Sequence, residues 1–202
     1  MPILLLIRHG ETDWNRSGRV MGDQSIPLNQ AGERQAQACA ELLSRTPITG
    51  IFTSPVLRAV QTAEILRQGH ETPLQHISEL REIGVGAWLN RYWRDFADDP
   101  AKRDWYTQPD VARPSGGETL REVQRRAVAA VERVIDTPQN RPYVFVSHGD
   151  VIRAILAHFL HLDLAMIRHA TIDHVSVSGL ELTDHSAQLL FLNHRPGLDR
   201  LL

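Results

Sequence analysis

Two histidines in this sequence follow short apolar runs and precede a glycine. The first run leads into Arg8-His9-Gly10, and the second ends in His148-Gly149. A short, continuous apolar run predicts a central strand that is covered on both faces. Because ligands of open α/β sheets bind at the carboxyl ends of the strands, both histidines are candidates for a functional site.

The residue types around these histidines suit the binding of a phosphate. If the two strands are neighbours, Arg8, His9 and His148 converge on one spot, and Arg58 reaches the same spot from the first turn of a predicted helix. Guanidinium groups offer planar forks of donors that match phosphate oxygens. A neutral imidazole among them is a nucleophile that faces a charge-neutralised phosphorus.

A carboxyl group completes this chemistry by supplying a proton to a leaving oxygen. Glu82 lies near the end of a strand-like segment, just before the glycine turn 84–86. A cleft that removes water from this carboxyl group, next to a dianion, would raise its pKa and keep it protonated near neutral pH. Glu79 flanks the same turn, and the sequence alone allows either residue to be the solvated one.

Strands that alternate with helices must position these side chains. Predicted helices begin at Asn29, at Ser54-Pro55 with the serine as N-cap, near Thr119 with capping-box spacing to Glu122, and just after His148. The helix starts at Pro55 and Gly149 also direct backbone N–H groups at an anion. The sequence after residue 174 predicts a hairpin-like pair of strands. The expected fold is an α/β three-layer sandwich, with a mostly parallel sheet between helices.

Residues 88–117 differ in character from the rest of the chain. They contain three of the four tryptophans, three prolines and charges of both signs, without clear periodicity. Such a segment favours an excursion from the sheet, which would act as a lid or cap over a cleft. We expect one domain over residues 1–202 that carries this excursion.

The composition points to a small-molecule partner. The net charge of −2 gives no sign of nucleic-acid or membrane-surface binding. The single Cys39 suits a reducing compartment, and the opening apolar run is too short for a membrane span. His158 and His161 have no cysteine or carboxylate cluster nearby, so we predict no metal site. The single cysteine and the short apolar run together predict a cytoplasmic location.

Five stretches together resemble the histidine phosphatase superfamily, the phosphoglycerate mutase-like proteins. They are "RHGETDWN", "SPVLRAVQTA", "LREIGVGAW", "PSGGETL" and "VSHGDVIRA", in the expected order. The resemblance implies that His9 is transiently phosphorylated and that Arg8, Arg58 and His148 hold the phosphoryl group. It also implies that Glu82 is the proton donor. We predict that the protein needs no cofactor.

Further positions follow from the same resemblance, and some depart from it. Asn15 and the backbone near Gly22 match positions that line the phosphate pocket. Residues 86–90 read Gly-Ala-Trp-Leu-Asn where phosphatase members commonly have Gly-x-Trp-Glu-Gly. Asp150 stands where many members have glycine, and it could favour a cationic substrate group or cap the helix. His174 stands where asparagine is expected.

Three functional hypotheses follow. The first is a metal-independent phosphomonoesterase that acts through phosphohistidine on small metabolites. The second is a phosphoglycerate mutase, although the chain has Ile83-Gly84-Val85-Gly86 where we associate Arg-His-Tyr-Gly with the mutase. The third is a non-catalytic phosphoester-binding module, which should have lost a histidine or the acid. Phosphoserine, α-ribazole phosphate, sugar phosphates and phosphoglycerates all remain open as substrates, and a homodimer is compatible with the sequence.

Overall fold

A six-stranded sheet forms the centre of the protein in a computed structural model that describes residues 1–136, 141–183 and 186–196. The strands are β1 (Ile3–Arg8), β2 (Gly50–Thr53), β3 (Leu74–His76), β4 (Tyr143–Ser147), β5 (Val177–Leu182) and β6 (Ala187–His194). Their spatial order is β3-β2-β4-β1-β5-β6, parallel from β3 to β1 and antiparallel through β5 and β6. The predicted mostly parallel sheet and the final strand pair are both confirmed.

Strands β1 and β4 lie side by side, as the convergence of the two histidines requires. They pair in parallel with Arg8 opposite Ser147, so both chains leave the sheet at the same edge. The His9 N–H extends the ladder by donating to the Ser147 carbonyl at 2.9 Å. This pairing places His9 and His148 together at the carboxyl end of the sheet.

Helices cover both faces of this sheet. They are α1 (Asp13–Ser17), α2 (Gln30–Leu43), α3 (Leu57–Arg67), α4 (Pro100–Thr107), α5 (Leu120–Ile135), α6 (Gly149–Phe159) and α7 (Leu164–Ile167). Alternation along β1 explains its unbroken apolar run: Leu5 and Ile7 face the core beneath α2 and α3, whereas Leu4 and Leu6 face the larger core beneath α5 and α6. The three-layer architecture is thus confirmed.

No helix among the described residues combines the length and the apolar character that crossing a bilayer requires.

The predicted caps are confirmed at two helices and wrong at a third. The Asn29 side chain caps α2, and Thr119 and Glu122 form a capping box at α5. Helix α3, however, begins at Leu57 rather than at Pro55, and no side chain caps it. The Ser54 hydroxyl instead accepts from the Val56 N–H two residues on, a local turn that competes with the helix, and it also bonds His148.

The excursion at 88–117 folds back onto the larger core. It contains two short 3₁₀ helices, Gly86–Trp88 at its start and Trp93–Phe96, followed by α4. Trp88, Phe96 and Trp105 are buried and belong to the same core cluster as α5 and α6. The segment lies outside the sheet, and its aromatic residues form one wall of the cleft described below.

Two glycines let the loop after β1 lie against the start of α2. A Cβ atom at Gly10 would lie 2.6 Å from the Gly32 carbonyl oxygen, and one at Gly32 would overlap the Glu11 carbonyl oxygen.

We therefore expect Gly32→Ala to lower the free energy of unfolding by about 1–3 kcal/mol, because neither backbone can yield without moving the loop. Chemical denaturation measures this, with Gln37→Ala on the exposed side of α2 as control. A stability equal to that of the parent protein would show that the contact is not rigid.

Candidate active site

His9 lies at the base of the site with one ring nitrogen unprotonated. Its side chain is buried, and its Nδ1 lies 2.7 Å from the Gly10 carbonyl oxygen. Because a carbonyl oxygen only accepts, Nδ1 carries the proton and Nε2 keeps its lone pair. Burial, reinforced by the positive charge of Arg58, holds the pKa of His9 well below its ordinary value. The imidazole is therefore neutral and nucleophilic at neutral pH.

Arg58 links the two histidines from the first turn of α3. Its Nε donates to His9 Nε2 at 3.0 Å, and its Nη2 donates to His148 Nδ1 at 3.1 Å and to the Gly22 carbonyl at 2.7 Å. Burial lowers the pKa of Arg58 to about 10, so the fully buried guanidinium stays charged at neutral pH. A permanent positive charge therefore lies directly against the reactive nitrogen of His9.

His148 is held in the opposite tautomer to His9. Its Nδ1 accepts from Arg58, so its Nε2 carries the proton and donates to the Ser54 hydroxyl at 2.8 Å. The two histidine rings lie 5.2 Å apart between centroids. Burial and the nearby guanidiniums of Arg58 and Arg8 lower the pKa of His148 well below its ordinary value. Ser54 is a site residue that the sequence analysis assigned only to helix capping.

Arg8 and His174 reach the cleft with polar atoms that lack a partner among the described residues. Arg8 donates through Nη1 to the Ile172 carbonyl at 2.7 Å, whereas its buried Nε has no acceptor. The His174 ring lies 5.8 Å from that of His9, and its Nε2 is likewise unsatisfied. Burial, together with Arg8, lowers the pKa of His174 to about 3, so this imidazole is neutral. Both atoms are available to form hydrogen bonds with polar groups of a ligand.

Glu82 faces the same cluster from the opposite side. Its Oε2 lies 3.7 Å from His148 Nδ1 and 3.9 Å from Arg58 Nη2, and the side chain is 16% exposed. Burial first, and Asp150 second, raise the pKa of Glu82 to about 7, against the opposing effect of Arg58. Glu79, by contrast, pairs with Arg133 at 3.0 Å at the surface. The structure thus places Glu82, not Glu79, in the site.

A partly buried ion pair fixes the turn that carries Glu82. Arg126 of α5 donates to the carbonyl groups of Arg81 and Glu82 and pairs with Glu118 at 3.0 Å. Glu118 in turn accepts from the Gly84 N–H at 2.8 Å. Arg126 could not be predicted as a site residue, because nothing in the motif shows that an arginine in the second turn of α5 reaches this turn.

The remaining predicted residues line the cleft in different ways. Asn15 forms a capping box with Thr12 at α1, with its Oδ1 accepting from the Thr12 N–H at 3.1 Å. Gly22 offers its carbonyl to Arg58, in a left-handed conformation with φ of 51°. Gly149 opens α6 beside Arg8, and a Cβ atom there would lie 3.7 Å from Arg8 Nε. The helix start at Pro55 does not face the site as predicted, because α3 begins two residues later.

The cleft itself has a volume of about 360 Å³. His9, Arg8, Glu82 and Gly149 line its inner end. Its outer part is lined by Trp93, Trp105, Tyr106, Asp150, Arg153 and Arg168. A cavity of this size suits a small metabolite.

The histidines and Glu82 also have the spacing of a metal site. Ligand atoms of His9, Glu82 and His148 all lie within 4.8 Å of one another. Arg58, however, already donates to the lone pairs of both imidazoles. A cation would have to displace a buried guanidinium and sit next to its charge, so the arrangement favours an anion.

Comparison with known proteins agrees with this geometry. The family model of the histidine phosphatase superfamily (branch 1) matches residues 4–195. The chain belongs to this superfamily. It is an enzyme of the histidine phosphatase type, like the relatives and structural neighbours described next.

Several curated relatives of this histidine phosphatase carry different names. The adenosylcobalamin/α-ribazole phosphatase of Salmonella typhimurium is 29% identical over 95% of this chain and 96% of its own. A "probable phosphoglycerate mutase" of Cronobacter sakazakii is 31% identical over 87% and 83%. The metal-independent phosphoserine phosphatase of Arabidopsis thaliana is 32% identical over 75% and 66%. The names agree on phosphate esters and differ in substrate.

Solved structures support the same assignment for the histidine phosphatase fold. A mycobacterial glucosyl-3-phosphoglycerate phosphatase in complex with VO3 has a TM-score of 0.89 and 28% identity, covering 96% of this chain and 100% of its own. The match extends over nearly the whole of both chains.

Proposed function

We propose that this protein hydrolyses small phosphate monoesters through a phosphohistidine at His9. The observation that carries the proposal is the position of His9 Nε2 at the base of a cleft. The imidazole is neutral and buried, and its Nε2 lies 3.0 Å from Nε of the Arg58 guanidinium. This nitrogen is poised for attack, and the charge beside it favours an anionic phosphoryl group.

Phosphoryl transfer to His9 would proceed as follows. Oxygens of the ester replace His9 Nε2 as the acceptor of the Arg58 Nε–H, which frees the lone pair. Nε2 forms a bond to phosphorus, the ester P–O bond breaks, and the proton of Glu82 passes to the leaving oxygen. Arg8 and Arg58 neutralise the oxygens of the transferring group. His148 can join them, because the Ser54 hydroxyl can accept or donate and so permits either tautomer of that ring.

Water would then restore the enzyme. The Glu82 carboxylate takes a proton from a water molecule, which attacks phosphorus and breaks the P–N bond. Inorganic phosphate leaves, His9 regains its lone pair, and Glu82 is again protonated. One residue with a pKa of about 7 can serve both steps near neutral pH.

A phosphoglycerate mutase is the second candidate, because a relative at 31% identity carries that name. The two functions differ in whether water or the substrate accepts the phosphoryl group of His9. The test is phosphate release from a panel of small monoesters that includes 3-phosphoglycerate, with His9→Ala as control. Release from one or more compounds supports the hydrolase. No release, with interconversion of 2- and 3-phosphoglycerate when bisphosphoglycerate is supplied, would establish the mutase.

We expect chelators to leave the activity intact. Guanidinium groups and the protonated acid supply the electrostatic stabilisation that a metal ion provides in other phosphatases. Incubation with EDTA, followed by dialysis, should therefore change the rate of phosphate release by less than about twofold, within the scatter of such assays. A loss of activity that Mg²⁺ or Zn²⁺ restores would instead assign His9, Glu82 and His148 to a metal.

A further inference from the structure

Beyond the phosphoryl position, the outer part of the cleft contains a second group of basic side chains. Arg153 of α6 and Arg168, just after α7, both line it and both face Asp150. Arg153 Nη1 lies 3.2 Å, and Arg168 Nη1 3.7 Å, from the same Asp150 oxygen. Two positive charges thus meet one negative charge, which leaves a net charge of about +1 in this part of the cleft.

Arg168 is buried without the hydrogen bonds that such a group needs. Its side chain is 3% exposed and packs over Trp105, with Cζ 4.0 Å from the ring centroid. Its Nε and Nη2 have no acceptor among the described residues, and neither has the Trp105 Nε1–H. Every unsatisfied atom here is a donor, and a buried donor without a partner costs free energy. The missing partner must therefore be an acceptor.

This group is continuous with the phosphoryl position. A Cβ atom at Gly149 would lie 3.3 Å from Arg153 Nη1 and 3.7 Å from Arg8 Nε, so both guanidiniums approach the same backbone position. A ligand that occupies the inner end through its phosphate can therefore extend past Gly149 towards Arg153 and Arg168. Asp150 already faces both guanidiniums, so a cationic substrate group, which the sequence left open, would meet a net positive charge.

We propose that Arg153, Arg168 and the Trp105 N–H form a second subsite that binds a carboxylate of the substrate. The substrate class would then be small phosphorylated carboxylic acids. A carboxylate has the single negative charge that balances this group, and it accepts two parallel hydrogen bonds from a guanidinium. The inference rests on the proposed function, since it takes the phosphoryl group to lie at His9.

The test compares 3-phosphoglycerate with glycerol 3-phosphate, which has a hydroxymethyl group in place of the carboxylate and the same primary ester. We expect kcat/KM to favour 3-phosphoglycerate by about tenfold or more, the size of a charged hydrogen bond. Arg168→Gln should reduce this ratio at least fivefold, and Arg168→Lys should reduce it less. The control is Arg103→Gln on α4, the helix that carries Trp105. The Arg103 side chain is 73% exposed, and its replacement should leave the ratio unchanged.

Two outcomes would overturn the subsite. One is equal kcat/KM for both esters in the parent enzyme, and the other is an equal loss on both esters in Arg168→Gln, as a purely structural role of Arg168 predicts. Binding separates this inference from the hydrolase itself. If no ester of the panel described above releases phosphate, the proposed function fails, and calorimetry on His9→Ala then decides the subsite alone: tighter binding of 3-phosphoglycerate than of glycerol 3-phosphate supports it, and equal binding refutes it.

Discussion

Replacing His9 with alanine should lower kcat/KM for phosphate release by about 10⁴-fold or more, as removal of a nucleophile does in other enzymes with covalent intermediates. The reason is specific to the geometry. His9 Nε2 is bonded to Arg58, while the second imidazole, His148, has its Nδ1 held by Arg58 and its Nε2 held by Ser54. Both ring nitrogens of His148 are thus engaged by side chains, so we expect this imidazole not to replace His9 as the nucleophile.

The loss should be catalytic and not structural. His9 is buried and accepts from Arg58, so His9→Ala should lower the melting temperature by a few degrees, because Arg58 Nε loses its acceptor, while circular dichroism shows that the fold is retained. His158→Ala is the matched control, since that histidine is on the exposed side of α6, 44% exposed, and should retain full activity.

A phosphoenzyme that is stable in base and labile in acid should form on the parent and not on His9→Ala. Near-normal turnover by His9→Ala, or a phosphoenzyme on another residue, would rule out the mechanism.

The sequence could predict the inner end of this site because its signals are local. An apolar run that stops at His-Gly predicts a strand end, and two such runs predict one edge of a sheet. The pairing of β1 with β4 then needed only to be assumed, and the structure confirms it. Arg58 could be placed because it stands in the first turn of a helix that follows a strand.

The errors and omissions arose where side chains from distant segments meet. Ser54 has the residue type and the proline that favour an N-cap, but its hydroxyl bonds His148, 94 positions away. Arg153, Arg168 and Trp105 come from three separate elements, and their shared position in the cleft has no sequence spacing to reveal it. Glu82 could be preferred over Glu79 only on its place in a motif, whereas burial of Glu82 in the cleft is what separates the two carboxyl groups.

The excursion at 88–117 was unpredictable in detail for a related reason. Its packing depends on aromatic rings and guanidiniums rather than on an amphipathic repeat. Trp88 and Trp105 meet edge to face at 5.4 Å, and Arg91 lies over Phe96 at 4.1 Å. Such contacts leave no period of 3.6 or 2 in the sequence, so the pattern indicated only an irregular segment.

Replacement of Glu82 with glutamine should remove the alkaline limb of the pH profile. As a proton donor Glu82 must be protonated, so kcat/KM should be full below its pKa of about 7 and should fall as the pH rises through that value. The quantity to measure is kcat/KM, because it reports the free enzyme. With Glu82→Gln, kcat/KM on an alkyl phosphate should fall by about 10²- to 10⁴-fold, and the fall above pH 7 should disappear.

The leaving group then distinguishes proton donation from positioning. An aryl ester such as p-nitrophenyl phosphate expels a weakly basic phenolate that needs little protonation, so Glu82→Gln should cost much less on this ester than on the alkyl ester. Glu79→Gln, at the exposed carboxyl group three residues away, should leave both rates and the profile unchanged. Asp150→Asn should shift the alkaline limb to lower pH, because the negative charge of Asp150 helps to raise the pKa of Glu82. Equal losses on both esters would show that Glu82 only positions Arg58 and His148, and the proton would have to come from another group in the cleft.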